Sequence, residues 1–323
     1  MSATPERSHT TTTNLDSAAR KAIFEALKMR KGESFLLVTD KQKLDIAEAL
    51  ARYAKDAGAE VTTYLMTETV RPISAPTRMF EVMIKMADVT TYLLEGRIQE
   101  KPFRAFMARQ GARGRVCLMP GITRDMFERL VNIEFGEMRA LTNRVIEAMR
   151  DARSVRVTNP AGTDISFSME GRPWTADVGA IAADHAHGNL PAGEAYSCPL
   201  ESTFTGVVSV SSIDDKVGPG RWVFREGRVA EYDGDGIREV MDNIGSDETG
   251  KVIGEFGIGT NRGARICPNM LEAEKAFGTC HFAIGDSIGI GINRSLHHYD
   301  ALVEKVTIVA DGRTIIERGE FRI

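Results

Sequence analysis

The chain has 323 residues, 41 of them basic and 45 acidic, for a formal net charge of −4. That length is about twice a usual domain, so two moderate domains are expected. The charge balance offers no basic field, and the arginines are scattered rather than striped, which excludes nucleic acid as a partner. No apolar run approaches the roughly 20 residues that span a bilayer, so no membrane partner is expected either.

Residues 1–14 (MSATPERSHTTTTN) are rich in Ser and Thr without apolar periodicity, and they read as a flexible tail. The same stretch lacks the apolar core of a secretory signal, so the expected location is cytoplasmic. From Leu15 helical and extended patterns alternate: AARKAIFEALKMR then SFLLVTD, DIAEALARYAKDAG then EVTTYLM, MFEVMIKMA then VTTYLLEG, PFRAFMARQG then RVCLMPG. Short β-prone runs separated by amphipathic segments predict βαβ units around a parallel sheet. A helical pair, RDMFERLVNIEF and MRALTNRVIEAMRDA, closes this half. The expected α/β domain therefore covers residues 15–152.

Past residue 153 the texture changes to meandering strands. SVRVTNPAGTDISFSM reads as a hairpin turning at Asn159-Pro160-Ala161-Gly162, and VTIVADGRTIIERGEF as another turning at Asp311-Gly312. GVVSVSSI and GRWVFREGRVAEY continue the pattern, so an α+β domain is expected over residues 153–323. The four cysteines, Cys117, Cys198, Cys267 and Cys280, are widely spaced without a CxxC, which suits reduced thiols better than disulfides or structural zinc.

Candidate chemistry gathers late in the chain. His298 and Asp300 stand two apart, and in a strand such residues share a face, so both could reach one ion. A histidine simply satisfied by its neighbouring carboxylate is the alternative. His297 would then face away, as would Cys280 beside His281. His281 lies in an apolar run where a neutral imidazole needs a partner, and it reads either as a ligand or as a packed core histidine. Glu255, within VIGEFGIGTNRGARI, is costly to bury unpaired; a metal would compensate it, as would Arg262 or Arg265. Gly257, Gly259 and Gly263 in the same run suggest close backbone approach.

Glu194 follows the turn residues Asn189, Pro191 and Gly193, and is presented from a strand start or exposed on a loop. His185 and His187 form a second ligand-type pair. Glu272 and Glu274 in NMLEAEKAFG could shuttle protons, or simply form a solvated helix face, while Trp174 and Tyr196 are aromatic candidates for pocket walls. GxSxG and HExxH are absent, which removes a nucleophile elbow and a helical zincin site.

Taken in order, NLPAGEAY, GEFGIGTN, NMLEAEKAFGTCHFAIGD and HHYD resemble the thermophilic aminopeptidase T (leucyl aminopeptidase) family of metallopeptidases, over roughly residues 155–315. The resemblance implies two divalent ions, zinc, cobalt, manganese or magnesium, held by Glu194, Glu255, His281, His298 and Asp300. Glu194 and Glu255 would also be catalytic. It further implies a two-domain fold, a homodimer, and a small peptide or amide as substrate, cleaved by a metal-activated water.

Two positions depart from the family. Relatives commonly carry an acid where this chain has Gly193, and peptidase members carry a tyrosine where the run Asp286-Ser287-Ile288 ends. The same superfamily includes 2,5-dihydroxypyridine ring-cleaving dioxygenases with one Fe(II) held by two histidines and a carboxylate, the alternative reading. Those relatives place a histidine at the Glu255 position and lack an acid equivalent to Glu194. A binding protein that keeps the scaffold without catalysis is a third possibility.

Overall fold

The computed structural model describes residues 13–108, 114–183, 186–213 and 216–323. The expected tail lies outside the described residues as far as residue 12. Its last two positions do not belong to it: Thr13 caps α1 (Asn14–Lys21), exchanging hydrogen bonds with Asp16 in a capping box.

The predicted alternation is present. β1 (Ser34–Thr39), α2 (Leu44–Asp56), β2 (Glu60–Leu65), α3 (Arg78–Met86), β3 (Val89–Leu93), α4 (Lys101–Phe106) and β4 (Arg115–Leu118) follow one another. α2 buries Ile46, Ala47, Leu50 and Ala54, the three-to-four spacing that gives a helix one apolar stripe. β3 is buried along its whole length, as a strand covered on both faces must be, whereas the edge strand β2 is half exposed. α5 (Arg124–Met126) and α6 (Phe135–Met149) then lead out of this half.

The second half opens with the expected hairpin, β5 (Val155–Thr158) against β6 (Asp164–Phe167), followed by β7 (Thr175–Asp177), β8 (His187–Asn189) and β9 (Glu194–Ser197). Next come β10 (Thr205–Ile213), β11 (Lys216–Arg225), β12 (Arg228–Asp233) and α7 (Asp235–Ile244). The chain continues with β13 (Ile253–Gly259), α8 (Met270–Ala273), β14 (Cys280–Gly285) and β15 (His298–Val303). It ends with β16 (Thr307–Ala310), β17 (Arg313–Glu317) and β18 (Glu320–Phe321).

The fold is mixed α/β with two sheets. One is parallel, in the order β2-β1-β3-β4-β8, so β8 returns from the second half to pair beside β4. The other runs β18-β17-β16-β5-β6-β10-β15-β14-β13-β9-β7 through antiparallel pairs, with β11 and β12 extending from β10. A core of Phe167, Phe204, Trp222, Phe224, Phe256 and Phe282, with many aliphatic residues, fills its apolar side. All four cysteines are free thiols. Among the described residues no helix is long and apolar enough to cross a membrane.

Candidate metal centre

Four neighbouring strands, β9, β13, β14 and β15, carry the acids and imidazoles singled out in the sequence. Paired residues of antiparallel strands share a face, so the register displays the site row by row. Glu194 lies opposite Gly259; His281 lies opposite Gly257; Glu255, Ala283 and Asp300 form one row across three strands; His298 lies opposite Gly285. Every ligand-type side chain thus has glycine or alanine opposite it on one neighbouring strand, and these gaps let the long side chains converge. A register shift between Ile253 and Glu255 marks a bulge, the usual device for re-aiming a strand residue. On the opposite face Phe256 stacks on Phe282, with ring centroids 5.2 Å apart, and ties the site to the core.

The five side chains meet. His281 Nε2 lies 3.3 Å from Glu255 Oε1 and 3.5 Å from Glu194 Oε2. His298 Nε2 lies 3.6 Å from Glu255 Oε2 and 3.4 Å from Asp300 Oδ1. Glu255 therefore belongs to two clusters, with Glu194 and His281 through one oxygen and with His298 and Asp300 through the other. A third cluster joins Glu274 to His281 and Asp300. The His298 ring is oriented by its Nδ1, 2.7 Å from the Asp286 carbonyl oxygen, which leaves Nε2 facing the carboxylates.

The site is acidic. Asp177, Glu194, Glu255, Glu274 and Asp300 all line one cavity of about 200 Å³. Burial raises the Glu255 carboxyl above its usual range against the pull of the His281 hydrogen bond, and raises Glu274 to about 8 and Asp177 to about 7. Burial alone would lower the imidazoles, but the carboxylates around them prevail and raise His281 to about 10 and His298 to about 9. The cluster thus draws in positive charge. Lys275 adds a buried ammonium, which donates from Nζ to Glu194 Oε1 at 2.9 Å and to Glu274 Oε1. Without metal, protons on the two imidazoles and on the raised carboxyls offset the negative charge, and divalent ions would take the place of those protons. Glu194 Oε2, buried without a hydrogen-bond partner, is a free donor atom of the kind a metal would take. Hard oxygen donors with imidazole nitrogen suit zinc, cobalt, manganese or magnesium. The residues present fit such ions.

Several open readings are resolved. Glu194 is buried at the start of β9, not exposed on a loop. Neither Arg262 nor Arg265 partners Glu255: Arg262 stacks over Phe277 at 3.9 Å, and Arg265 reaches Asp125 at 3.5 Å. The solvated helix face expected for Glu272 and Glu274 is not there. α8 stops at Ala273, Leu302 of the site face packs against Met270 and Ala273, and Glu272 is buried against Arg129 at 2.8 Å. Cys280 faces the core, and His297 turns to Asp247 and stacks on Tyr299. Tyr196 lines the cavity, while Trp174 packs edge-on against Phe256. His187 is exposed at the cavity rim, and its suggested companion His185 lies outside the described residues. Sequence reasoning passed over Asp177 and Lys275. An acid in a TAD triplet and a lysine in an EAEK run look like surface charges until the fold buries them.

Gly193 has φ 129°, and a Cβ there would stand 2.6 Å from Cβ of Asn261, so this backbone has no room for an acidic side chain. Ile288, at the other position where the sequence departs from the resemblance, lines the cavity.

Residues 135–321, more than half the chain, match the family model of the thermophilic metalloproteases, M29. The chain belongs to this family. As an M29 member it also shares its fold with two solved structures. One is 2,5-dihydroxypyridine dioxygenase from Pseudomonas putida KT2440, with a TM-score of 0.77 at 15% identity, covering 96% of this chain and 97% of that one. The other is AmpT from Thermus thermophilus, with a TM-score of 0.68 at 17% identity, covering 96% and 99%. No curated relative matches the chain.

Proposed function

We propose that this M29 member is a metal-dependent hydrolase of the aminopeptidase type, which removes N-terminal residues from peptides or cleaves a related small amide. The observation that carries this reading is the shared position of Glu255, one oxygen toward Glu194 and His281 and the other toward His298 and Asp300. A carboxylate so placed would bridge two cations. When bound, two such ions lower the pKa of a water toward neutrality and polarise the scissile carbonyl.

The chain's own residues do the rest. Lys275 fixes Glu194 by one oxygen and leaves the other as a single donor. The Asp286 carbonyl holds the His298 ring in register. Glu274, which lines the cavity beside His281 and Asp300, is the acid–base group in this reading.

The test is hydrolysis of aminoacyl p-nitroanilides by protein stripped with a chelator and reloaded separately with zinc, cobalt, manganese or magnesium. Activity that returns with metal, and does not return in Glu255→Ala, supports the reading. A reloaded wild type that cleaves none of them refutes it.

One observation favours a second reading. Ile288 brings no hydroxyl to its part of the cavity wall, where the family resemblance leads one to expect a donor that steadies a tetrahedral oxyanion. A mononuclear Fe(II) ring-cleaving dioxygenase of the 2,5-dihydroxypyridine type needs no such donor. Purified protein containing iron and consuming oxygen with that substrate would establish this alternative.

A further inference from the structure

Seven non-glycine residues have positive φ among the described residues. Six are charged and sit where the chain must turn: Lys28 and Asp151 just past helical segments, Glu226, Lys305, Asp311 and Arg318 between consecutive strands. The seventh is Ile288, at φ 44° in the connection from β14 to β15. A left-handed backbone is unfavourable for any side chain and most of all for a β-branched one. Gly289, the next residue, has φ 92° and open space where a Cβ would point. The chain therefore places glycine at one left-handed position and isoleucine at its neighbour.

The surroundings enforce this conformation. The Ile288 N–H donates to Asp286 Oδ1 at 2.7 Å, and the Ser287 hydroxyl donates to the Asn293 carbonyl at 2.7 Å. Beyond it, the Ile292 N–H donates to Glu201 Oε1 at 3.0 Å and Asn293 Nδ2 to the Gly285 carbonyl at 2.6 Å. Held on both sides, Ile288 presents its side chain to the cavity that contains the acids and imidazoles. Buried Val178 and Ile181 line the same cavity. Its volume, about 200 Å³, is below the roughly 300–1,000 Å³ of sites for drug-sized ligands.

We propose that Ile288 is a specificity-determining residue whose side chain contacts the aliphatic group of the substrate beside the scissile bond. The backbone strain is retained because it puts that side chain there. The substrate class is an amide whose N-terminal residue carries a compact aliphatic side chain. This inference rests on the hydrolase reading for its reaction, though not for its binding contact.

The experiment compares wild type with Ile288→Gly, loaded with the same metal. Thermal midpoint, metal content, and kcat and KM on leucyl, valyl, alanyl and lysyl p-nitroanilides are measured. Relief of strain should leave the variant melting at or above wild type with unchanged metal content. Leucyl kcat/KM should fall about tenfold or more, through KM, and the preference for leucyl over alanyl should shrink by a similar factor. An unchanged leucyl-to-alanyl ratio, or an equal loss on all four substrates, overturns the inference. If wild type cleaves none of them, the hydrolase reading fails by itself, and calorimetric binding of leucine and glycine hydroxamates decides about Ile288. A leucine preference lost in the variant then supports the contact, and an unchanged preference overturns it.

Discussion

A Cβ placed on Gly257 would lie 2.1 Å from Cε1 of His281 and 2.2 Å from its Nε2, so the strand backbone passes directly beneath the imidazole. Gly257→Ala is expected to push the ring out of the cluster. It should cost about 1–3 kcal/mol of stability by overpacking and weaken metal binding at least about tenfold, read by urea denaturation and by competition with a chromophoric chelator. Normal metal affinity in that variant would show that the ring has another place to go. Lys275 is the complementary case. Its fully buried ammonium is held by Glu194 and Glu274, and Lys275→Met would leave both carboxylates buried without it. A loss of about 3–5 kcal/mol is expected in metal-free protein, measured by the same denaturation. The glycines around Glu255 were legible as places of close approach, because nothing else explains so many in an apolar run. Lys275 was not legible, since its burial depends on α8 ending at Ala273 and on the next residues crossing Gly259. A Cβ at Gly259 would be 2.1 Å from the Ala276 carbonyl oxygen.

At the scale of elements, alternation and turn chemistry carried most of the fold. The βα order, the β5–β6 hairpin and the turn at Asp311-Gly312 follow from period and from Pro and Gly placement, all of them local signals. β8 could not be read this way: His187-Gly188-Asn189 has little strand propensity and becomes a strand only by pairing with β4. Convergence of β9, β13, β14 and β15 was likewise a matter of sheet order rather than local pattern. The ends of β1 and β3 show another tertiary effect. Arg71 donates to Asp40 at 2.6 Å and to Glu100 at 2.7 Å, and Tyr92 donates to Glu100 at 2.8 Å, all inside the protein. Lys101, next in the chain, donates to the His298 carbonyl and so joins this network to the candidate site. Burial opposes ionisation of Glu100, but the Arg71, Tyr92 and Ile73 hydrogen bonds outweigh it and hold the carboxyl below its ordinary 4.5. The folded state then binds fewer protons than the unfolded one. This contribution is complete above pH 4.5 and is lost as pH falls through the lower folded value. Glu100→Gln should be less stable at pH 7, by about 3 kcal/mol or more, and should show a shallower loss of stability on acidification, as urea midpoints at pH 7 and pH 3.5 would reveal. An equally steep acid loss in the variant would assign the pH dependence to other groups.

For the molecule as a whole, acids and imidazoles gathered around one cavity link stability to metal. Ligand that binds only the folded state adds about 2.7 kcal/mol per site at a hundredfold excess over Kd. Chelation should therefore lower the thermal midpoint, and readdition of a divalent ion should restore it; a midpoint indifferent to chelator would mean that no ion is held by these carboxylates. The most direct measurement of the arrangement itself is anomalous X-ray diffraction from crystals grown with zinc or manganese. Two peaks are expected, one between Glu255, Glu194 and His281 and the other between Glu255, His298 and Asp300. A single peak, or none within bonding distance of Glu255, would contradict the two-ion centre.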